Sequence, residues 1–483
     1  MSDIAPFATP TSHARATGSL FATDALLPGG WARNVLLEWN AAGQLLAVTP
    51  DSSAPRTTPR AAGPLIPGLP NLHCHAFQRA FGGLTEFRAE AQDSFWSWRT
   101  LMYRFAAQIT PELLEDIATW LYIEMLEAGY TSVCEFHYVH HDLDGRPYAD
   151  DATLAQCLLR AAQRAGIGIT LLPVLYQTSG FGGTPPNAGQ RRFIRSTDSM
   201  LRLLERLQPC CEVQGARLGL APHSLRAVPP DSLREALAGL DAIDPTAPIH
   251  IHIAEQTAEV DACLAWSGQR PVEWLLDHAA VDARWCLVHA THMTDAEYER
   301  AARTGAVAGL CPTTEANLGD GIFDLPRWRA AGGAWGLGSD SNACVNAAEE
   351  LLLLEYGQRL QSRQRNVLAS AQQPQVATAM TLQAVLGGAR ASGHALPRGA
   401  AGLVPGQRAD FAVLDARHPA LCELSAPDML SAHVFASHRT SALDAVWVGG
   451  VQQTRQGSRH ALRETAAAAF IAARSRLLAQ TQV

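Results

Sequence analysis

His73 and His75 stand two residues apart in the stretch PNLHCHAFQRA, which covers residues 70–80. Alternate residues of a β-strand point to the same face, so these two imidazoles could bind one metal ion. The spacing is equally compatible with two polar residues at the end of a strand. A metal site is therefore predicted only if other ligands are expected to gather at the same place.

Polar residues recur along the chain wherever a short apolar segment ends. Besides the first histidine pair, these positions carry Glu135, His137, Tyr138, Tyr176, His223, His252, Glu255, His289 and Asp340. If the apolar segments are parallel strands of one barrel, their C-terminal ends form a single rim, and catalytic groups gather at that rim. One strand-end histidine is commonly structural, but recurrence around one rim indicates a functional site.

Four of these residues form a coherent set of candidate metal ligands, namely His73, His75, His252 and Asp340. Three neutral imidazoles and one carboxylate suit Zn²⁺ better than Fe²⁺. The chain contains no lysine, and all 38 of its basic residues are arginine, so a carboxylated lysine bridging two ions is excluded. We therefore expect one Zn²⁺ per chain, which would lower the pKa of a bound water toward about 7.

The elements that must position these residues lie between about residues 64 and 392. Eight strand-like apolar runs alternate there with segments of helical length, such as TPELLEDIATWLYIEMLEAG at 110–129, which has Pro near its start and Gly at its end. This alternation predicts a closed parallel (β/α)8 barrel of the TIM type. An open doubly wound sheet is the alternative, but no glycine-rich dinucleotide motif follows the first strand.

The two ends of the chain are rich in short β-like segments. Residues 1–63 contain NVLLEWN and LLAVTP, while residues 393–483 contain ADFAVLD and ALDAVWVGG, followed by an alanine-rich segment that predicts a terminal helix. We expect the two ends to build one discontinuous β-sandwich domain beside the barrel of residues 64–392.

Composition and charge exclude several classes of protein. A chain of 483 residues with 47% hydrophobic and 17% charged residues is typical of a globular protein with a large core. The net charge of −8 without a basic stripe argues against nucleic-acid binding. The lack of lysine excludes Schiff-base and P-loop lysine chemistry. No secretory signal and no apolar run of about 18 residues is visible, so we expect a cytoplasmic protein that does not bind membranes.

Several motifs together are more specific than any single one. They are PGLPNLHCHAFQRA, SFWSWRTLMYRFA, CEFHYVHHD, APHSLRAV, HIHIAEQTAEV, LVHATHM, CPTTEANLGDGIF and GSDSN. These motifs resemble the amidohydrolase superfamily and, within it, the N-formimino-L-glutamate deiminases of histidine degradation, over residues 64–455. The resemblance implies hydrolysis of N-formimino-L-glutamate to N-formyl-L-glutamate and ammonia. Cys74 and Asn342 depart from the pattern, which more usually has Ser and His there, so Asn342 is assigned no role.

The resemblance also implies roles for three catalytic residues. Asp340 would accept a proton from the attacking water, and His289 would hydrogen-bond the nucleophile or the tetrahedral centre. Glu255 would pair with the cationic amidinium and deliver a proton to the departing nitrogen. His289 could alternatively be a fourth metal ligand.

N-formimino-L-glutamate carries two carboxylates, so a net-acidic enzyme needs local cations to bind it. Arg226 is the first choice and Arg99 the second, because a planar guanidinium can donate two hydrogen bonds to one carboxylate. Segment 87–99 is expected to form a lid that supplies Arg99. Additional hydrogen bonds are expected from Gln78, Tyr138 and His223. Other candidate cations are Arg79, Arg104, Arg191 and Arg192.

Three rival functions are compatible with parts of the sequence. Another mononuclear deaminase could act on a purine, a triazine or a guanidino acid, and an aromatic-lined pocket without paired arginines would favour a ring substrate. A non-catalytic barrel should have lost ligands, yet none is missing. A β-lactam or peptide hydrolase usually needs two metal ions and a bridging lysine. For the favoured function we expect a small-molecule dicarboxylate substrate and a homodimer.

Overall fold

The computed structural model describes residues 17–86, 95–437 and 441–481. The strands are β1 (Gly18–Leu27), β2 (Gly30–Trp39), β3 (Leu45–Thr49), β4 (Leu65–Pro67), β5 (Leu69–Cys74), β6 (Tyr130–His137), β7 (Gly168–Leu175), β8 (Arg217–Leu218), β9 (Ala221–Pro222), β10 (Ile249–Ile253), β11 (Trp285–His289), β12 (Val307–Leu310), β13 (Ala334–Leu337), β14 (Phe411–Leu414), β15 (Leu443–Val448), β16 (Val451–Gln452), β17 (Thr454–Arg455) and β18 (Arg459–His460).

The helices alternate with the strands through the middle of the chain. They are α1 (Phe95–Ala106), α2 (Pro111–Glu127), α3 (Thr153–Ala165), α4 (Thr197–Gln214), α5 (Pro230–Ile243), α6 (Thr257–Ser267), α7 (Pro271–His278), α8 (Asp295–Arg303), α9 (Pro312–Leu318), α10 (Leu325–Ala330), α11 (Ala347–Ser362), α12 (Val376–Ala391), α13 (Ala426–Phe435) and α14 (Arg463–Thr481). Short 3-10 helices cover Ala76–Phe81, Phe181–Gly183, Ala188–Gln190 and Pro397–Gly399.

A closed ring of parallel strands forms the centre of the described structure. The ring runs from β5 through β6 and β7 to the short pair β8 and β9, and then through β10, β11, β12 and β13 back to β5. Leu220, between β8 and β9, bridges to Ile249 of β10 and closes the ring on that side. The predicted (β/α)8 barrel is therefore confirmed, with an interruption in its fourth strand.

Local sequence explains why these segments adopt these structures. Strands β6 and β7 are buried along their whole length, as expected for parallel strands with helices on the outside and a filled barrel inside. Helix α2 begins with Pro111 in its first turn, and the side chain of Thr110 accepts a hydrogen bond from the Leu113 amide at 3.3 Å. This capping satisfies a donor that the helix itself cannot use.

The two chain ends come together in a second sheet. Within the described residues its seven strands run in the order β16–β15–β14–β4–β1–β2–β3, so β4 joins the N-terminal strands to the C-terminal ones. A separate small core packs against this sheet and includes Leu20, Val35, Leu37, Trp39, Leu65, Phe411 and Val413. The discontinuous β domain is thus confirmed, as one continuous hydrogen-bonded sheet. The exact domain boundaries at 63/64 and 392/393 stay predictions.

The predicted terminal helix is α14, which packs against α2 through stacked rings of Phe470 and Trp120 at 6.1 Å. None of the helices in the described ranges is both long and apolar enough to cross a membrane. All the strands that carry the candidate site belong to the barrel, so the terminal domain contributes no candidate ligand among the described residues.

Candidate active site

The four candidate ligands converge at the C-terminal rim of the barrel. His73 lies on β5 with His75 just beyond it, His252 lies on β10, and Asp340 follows β13. One ligand atom from each residue lies within 4.8 Å of all the others, and all four residues are buried. Asp340 Oδ1 is 3.3 Å from His73 Nε2 and 3.2 Å from His75 Nε2.

The imidazoles are oriented by backbone carbonyls. Nδ1 of His75 lies 2.9 Å from the Phe136 carbonyl, and Nδ1 of His252 lies 3.1 Å from the His223 carbonyl. Because a carbonyl only accepts, Nδ1 carries the proton in both rings, and Nε2 of the neutral ring presents a lone pair. His252 Nε2 lies 3.0 Å from His73 Nε2. Three imidazole nitrogens and a carboxylate that converge this closely form a group that can hold a cation.

The electrostatics of the cluster favour a metal ion over extra protons. Burial lowers the pKa of His73 to about 3, and burial together with the other imidazoles lowers the pKa of His252 well below its usual value. Burial alone would raise the pKa of Asp340, but the neighbouring His73 and His75 outweigh it and hold that pKa well below its usual range. At neutral pH the donor set is therefore N₃O with one negative charge, which fits a borderline divalent ion such as Zn²⁺.

Backbone and side-chain hydrogen bonds lock the two strands that carry three of these residues. The His75 amide donates to the Asp340 carbonyl at 3.1 Å, and the Asp340 amide donates to the His73 carbonyl at 2.9 Å. Asn342, for which the sequence predicted no role, donates through Nδ2 to the carbonyls of His75 and Asp340, each at 3.0 Å. Its Oδ1 accepts a hydrogen bond from the Ser339 hydroxyl at 2.7 Å. Asn342 is thus a positioning residue for the candidate ligands.

Strained backbone conformations occur at the same rim. His289 (φ 66°), Ala254 (φ 49°), Asp340 (φ 44°) and Asn342 (φ 57°) all adopt the left-handed region although none is glycine. Such conformations cost of order 1–3 kcal/mol each and persist only where the surrounding structure imposes them. They change the direction of the chain at the ends of the strands that carry the candidate site.

Next to the candidate ligands lies a second group of buried acids centred on His289. His289 Nε2 lies 3.9 Å from Glu255 Oε1 and 3.7 Å from Asp340 Oδ2, while His289 Nδ1 lies 3.2 Å from Glu315 Oε1. Burial raises the pKa of Glu255 to about 7, against the opposing effect of His289. Burial lowers the pKa of His289, but Glu255, Glu315 and Asp340 outweigh it and raise that pKa to about 10.

Sequence reasoning missed three acids in this region. Glu315 binds Nδ1 of His289, Glu259 accepts a hydrogen bond from the Glu255 amide at 3.1 Å, and Asp320 accepts one from the Gln256 side chain. Burial and Glu255 raise the pKa of Asp320 to about 8. Glu315 and Asp320 lie in the motif CPTTEANLGDGIF, and Glu259 lies one helical turn after Glu255. All three acids therefore lie in or beside motifs visible in the sequence. The sequence does not reveal that Glu315 contacts His289 and that Asp320 contacts Gln256, because these pairs are distant along the chain.

The predicted binding residues line one pocket with the candidate ligands. The pocket lining includes Gln78, Arg99, Tyr138, His223, Arg226, Glu255, His289 and Asp340. The amide of Gln78 donates to the Tyr138 hydroxyl at 2.9 Å, while its buried Oε1 has no hydrogen-bond partner among the described residues. His223 contacts the Ser224 hydroxyl through Nδ1 at 3.1 Å. The pocket therefore keeps several polar groups available to a ligand.

The arginines of the pocket differ from the other candidate cations. Arg226 is only 9% exposed, yet its guanidinium forms no ion pair with a carboxylate of the described residues. In contrast, Arg79 pairs with Glu124 at 2.7 Å, and buried Arg192 donates to three backbone carbonyls. Arg191 binds the Leu143 carbonyl on the surface, so these three arginines serve the fold.

The predicted lid is only partly described. Residues 87–94, and the side chains of Phe95 and Trp96, lie outside the described residues. Helix α1 places Trp98 6.1 Å from the Phe81 ring and places Arg99 in the pocket lining, with its guanidinium 5.6 Å from the centre of the Tyr103 ring.

A (β/α)8 barrel with three imidazoles and a carboxylate gathered at the C-terminal rim defines the class of metal-dependent barrel hydrolases. The chain belongs to the amidohydrolase family, whose pattern matches residues 65–452. In addition, residues 17–57 match the N-terminal domain of the formimidoylglutamate deiminase HutF. Metal dependence is typical of the amidohydrolase family.

Individual relatives agree with this assignment. The chain is 52% identical over 461 residues to a formimidoylglutamate deiminase from Pseudomonas aeruginosa, covering 95% of this chain and 99% of the relative. It is 48% identical to an amidohydrolase from Brucella melitensis whose crystal structure superposes with a TM-score of 0.89, covering 95% and 100% of the two chains. A 5-methylthioadenosine/S-adenosylhomocysteine deaminase from Nitratidesulfovibrio vulgaris is 28% identical, covering 82% of this chain and 80% of the relative.

Replacing Asn342 with alanine should destabilise the protein, because it removes one of the hydrogen bonds to each of the buried His75 and Asp340 carbonyls and the acceptor of the buried Ser339 hydroxyl. We expect a loss of about 1–3 kcal/mol in the free energy of unfolding, measured by chemical denaturation. Asn366→Ala is the matched control, since Asn366 is exposed but has a similar left-handed conformation (φ 53°). Equal losses in both variants would show that backbone conformation alone explains the effect.

Proposed function

We propose that this protein hydrolyses N-formimino-L-glutamate to N-formyl-L-glutamate and ammonia, a reaction of histidine degradation. The observation that carries the proposal is a single pocket lined by both the buried acid Glu255 and the buried Arg226, which forms no ion pair with a carboxylate of the described residues. The substrate has the complementary charges, with a cationic amidinium at one end and carboxylates at the other. The similarity to the Pseudomonas aeruginosa formimidoylglutamate deiminase supports the same reaction.

We propose that one Zn²⁺ per chain is held by His73, His75, His252 and Asp340, with Fe²⁺ as the less favoured ion. The N₃O donor set and the carbonyl-oriented rings support this choice. When bound, the ion would lower the pKa of a water to about 7 and so supply a nucleophile at neutral pH. The lack of lysine supports a single ion, because no carboxylated lysine can bridge two.

Three side chains would move protons or stabilise charge around the reacting carbon. Asp340 would accept the proton of the attacking water, since its carboxylate lies at the centre of the cluster and remains ionised. Glu255 would pair with the amidinium as a carboxylate, take up the proton released from the attacking water through Asp340, and transfer it to the nitrogen that leaves as ammonia. A pKa of about 7 suits this double role, because it allows either protonation state near neutral pH.

His289 is better suited to hydrogen bonding than to binding the metal. Its Nδ1 is engaged by Glu315, and its Nε2 faces Glu255 and Asp340 at 3.9 and 3.7 Å, outside the group of four converging ligand atoms. From this position an N–H would donate to the oxygen that attacks the formimino carbon and stabilise the charge that develops there.

Binding of the rest of the substrate is assigned to the polar side of the pocket. Arg226 and Arg99 would bind carboxylates, because charge-assisted hydrogen bonds in a buried pocket are strong. Oε1 of Gln78 is a free acceptor for an N–H of the substrate. Tyr138 and His223 would provide the remaining hydrogen bonds.

A deaminase acting on a purine, a triazine or a guanidino acid is the rival function. Aromatic rings do line the pocket, including Trp98, Tyr138 and Phe193, as a ring substrate would require. The two arginines in the same lining favour an acyclic dicarboxylate instead. The deciding assay measures ammonia release from N-formimino-L-glutamate, with a purine and a guanidino acid as competing substrates. Turnover of the purine alone would refute the proposal.

We further propose that the enzyme acts as a cytoplasmic homodimer. Ten free cysteines without a disulfide among the described residues support a reducing compartment. Light scattering of the purified protein gives the oligomeric state directly, and a monomer at assay concentration would refute the dimer.

Metal analysis tests the ligand assignment. Purified protein should contain about one zinc per chain, and His73→Ala should lose the metal and the activity together. His278→Ala is the control, because His278 is exposed and stacks on Trp274 away from the rim. A reproducible stoichiometry of two ions per chain would contradict the mononuclear site.

Glu255→Gln tests the proton transfer. Glutamine keeps the size of the side chain but cannot carry a proton, so kcat should fall at least about 100-fold, the lower range for general acid–base catalysis. Glu235→Gln, an exposed position on α5, should leave kcat unchanged. If Glu255→Gln retains kcat within about threefold of wild type, Glu255 does not transfer the proton.

Arg226→Met tests carboxylate recognition. Loss of a hydrogen-bonded charge pair worth about 1.5–3 kcal/mol should lower kcat/KM for N-formimino-L-glutamate roughly 10- to 150-fold. The rate with N-methylformamidine, which has no carboxylate, should change little. Arg202→Met, on the exposed face of α4, is the control variant. An equal loss on both compounds would mean that Arg226 supports the fold instead of the substrate.

A further inference from the structure

Three polar side chains that the proposed mechanism does not use meet at the wall of the pocket. The amide nitrogen Nε2 of Gln190 lies 2.6 Å from the Tyr176 hydroxyl and 3.2 Å from the Tyr103 hydroxyl. Gln190 is fully buried, and both tyrosines line the pocket. The three residues come from different parts of the chain, since Tyr103 lies on α1, Tyr176 follows β7, and Gln190 ends a short 3-10 helix.

The direction of these hydrogen bonds follows from the surroundings of Gln190. Its Oε1 accepts a hydrogen bond from the backbone amide of Asn187 at 2.9 Å, and an N–H can only donate. The oxygen and nitrogen of the Gln190 amide are therefore distinguished, and Nε2 offers one hydrogen to each tyrosine. Both phenolic oxygens accept a hydrogen bond from Gln190, so neither tyrosine donates its hydroxyl proton to Gln190.

The two hydroxyls lie in a cationic environment. Arg99 and Arg226 line the same pocket, and the Arg99 guanidinium lies 5.6 Å from the centre of the Tyr103 ring. Tyr176 is only 3% exposed, and burial together with the neighbouring Tyr103 raises the pKa of Tyr176 above its usual value. Tyr176 therefore stays protonated and remains a hydrogen-bond donor beside two guanidinium groups.

Packing holds the two tyrosines in place before any ligand binds. The Phe193 ring lies 5.9 Å from Tyr103 and 6.0 Å from Tyr176, between centroids. The Tyr176 ring also lies 4.6 Å from His223. A Cβ at Gly189 would stand 3.0 Å from Cδ2 of Tyr103, so the backbone of this loop packs directly on the ring. Donors fixed in this way bind an anion without a large ordering cost.

We propose that Tyr103, Gln190 and Tyr176 form a carboxylate receptor, in which Gln190 orients both phenolic hydroxyls so that they donate to one substrate carboxylate beside Arg226 and Arg99. The inference rests on the proposed function, because it names residues that select a dicarboxylate substrate. A carboxylate accepts hydrogen bonds and donates none, so it matches a wall of two O–H groups and two guanidinium groups. Gln190 touches no ligand in this scheme and is a positioning residue.

Two variants separate this receptor from a structural role. The double variant Tyr103→Phe/Tyr176→Phe removes both O–H donors while keeping the rings. Gln190→Glu keeps the acceptor for the Asn187 amide but replaces the donor Nε2 with an oxygen that accepts both phenolic protons, which turns them away from the pocket. Tyr130→Phe is the control, because it removes a buried hydroxyl that has no hydrogen-bond partner in the described part of the chain. Tyr130 begins β6, at the end of the strand opposite the C-terminal rim.

The first experiment uses calorimetry to measure the binding of glutarate, a dicarboxylate without an amidine, to the metal-loaded protein. Both variants should weaken glutarate binding at least about 10-fold, and the control should not. This readout needs no turnover, so it remains informative even if N-formimino-L-glutamate is not the substrate. Unchanged glutarate binding in both variants would overturn the receptor.

The second measurement locates the carboxylate by turnover. With N-formimino-L-glutamate, both variants should raise KM at least about 10-fold with a smaller change in kcat, as loss of binding predicts. The effect should disappear for one of two analogues, 4-(formimidoylamino)butanoate or N-formimino-L-norvaline, which each lack one carboxylate. An equal loss with N-methylformamidine, or a loss confined to kcat, would overturn the proposal.

Discussion

The convergence of three imidazoles and one carboxylate at the barrel rim is the constraint on which the rest of the site depends. Nε2 of His252 lies 3.0 Å from Nε2 of His73, and the Asp340 carboxylate lies 3.2 Å from Nε2 of His75. Each of these atoms can offer a lone pair, so a bound cation would stabilise the arrangement. The reciprocal backbone hydrogen bonds between the ends of β5 and β13 hold these groups together, and Asn342 reinforces that junction.

Charges of both signs line the pocket beside this centre. Glu255, Glu315 and Asp340 surround His289. Arg226 is buried without an ion pair to a carboxylate in the described part of the chain. Burial lowers the pKa of this guanidinium, but Tyr176, Glu259 and Glu255 outweigh it and raise that pKa. A buried guanidinium without an ion pair is typical of a site that receives an anion from a ligand. Acids and a guanidinium in one pocket match a molecule with a cationic amidinium and anionic carboxylates.

The polar groups that line the pocket are held in fixed positions before a ligand binds. Residues with left-handed backbone conformations lie at the strand ends, and the buried Gln190 lies behind the tyrosine hydroxyls. The free-energy cost of ordering these groups is met when the protein folds, so it does not reduce the free energy of ligand binding. Donors that are already oriented need no reorganisation when charge develops on a substrate, and this is the main way in which barrel enzymes stabilise a transition state. The large barrel core provides the stability that such strain requires.

The sequence by itself determined the barrel, the β domain from both chain ends and the identity of the candidate ligands. The alternation of apolar runs and helical segments specifies parallel strands, and strand ends in such a barrel share one rim whatever the loops do. The H-x-H spacing likewise places two imidazoles on one face without any tertiary information.

Only the tertiary structure decided which polar groups are satisfied and which are free. Arg226 and Arg192 look alike in the sequence, but distant backbone carbonyls occupy Arg192 and leave Arg226 available. Gln190 orients Tyr103 across 87 residues, and Glu315 reaches back to His289 across 26. Whether a buried polar group forms a hydrogen bond depends on the residues that folding brings next to it. Local sequence patterns do not identify those residues.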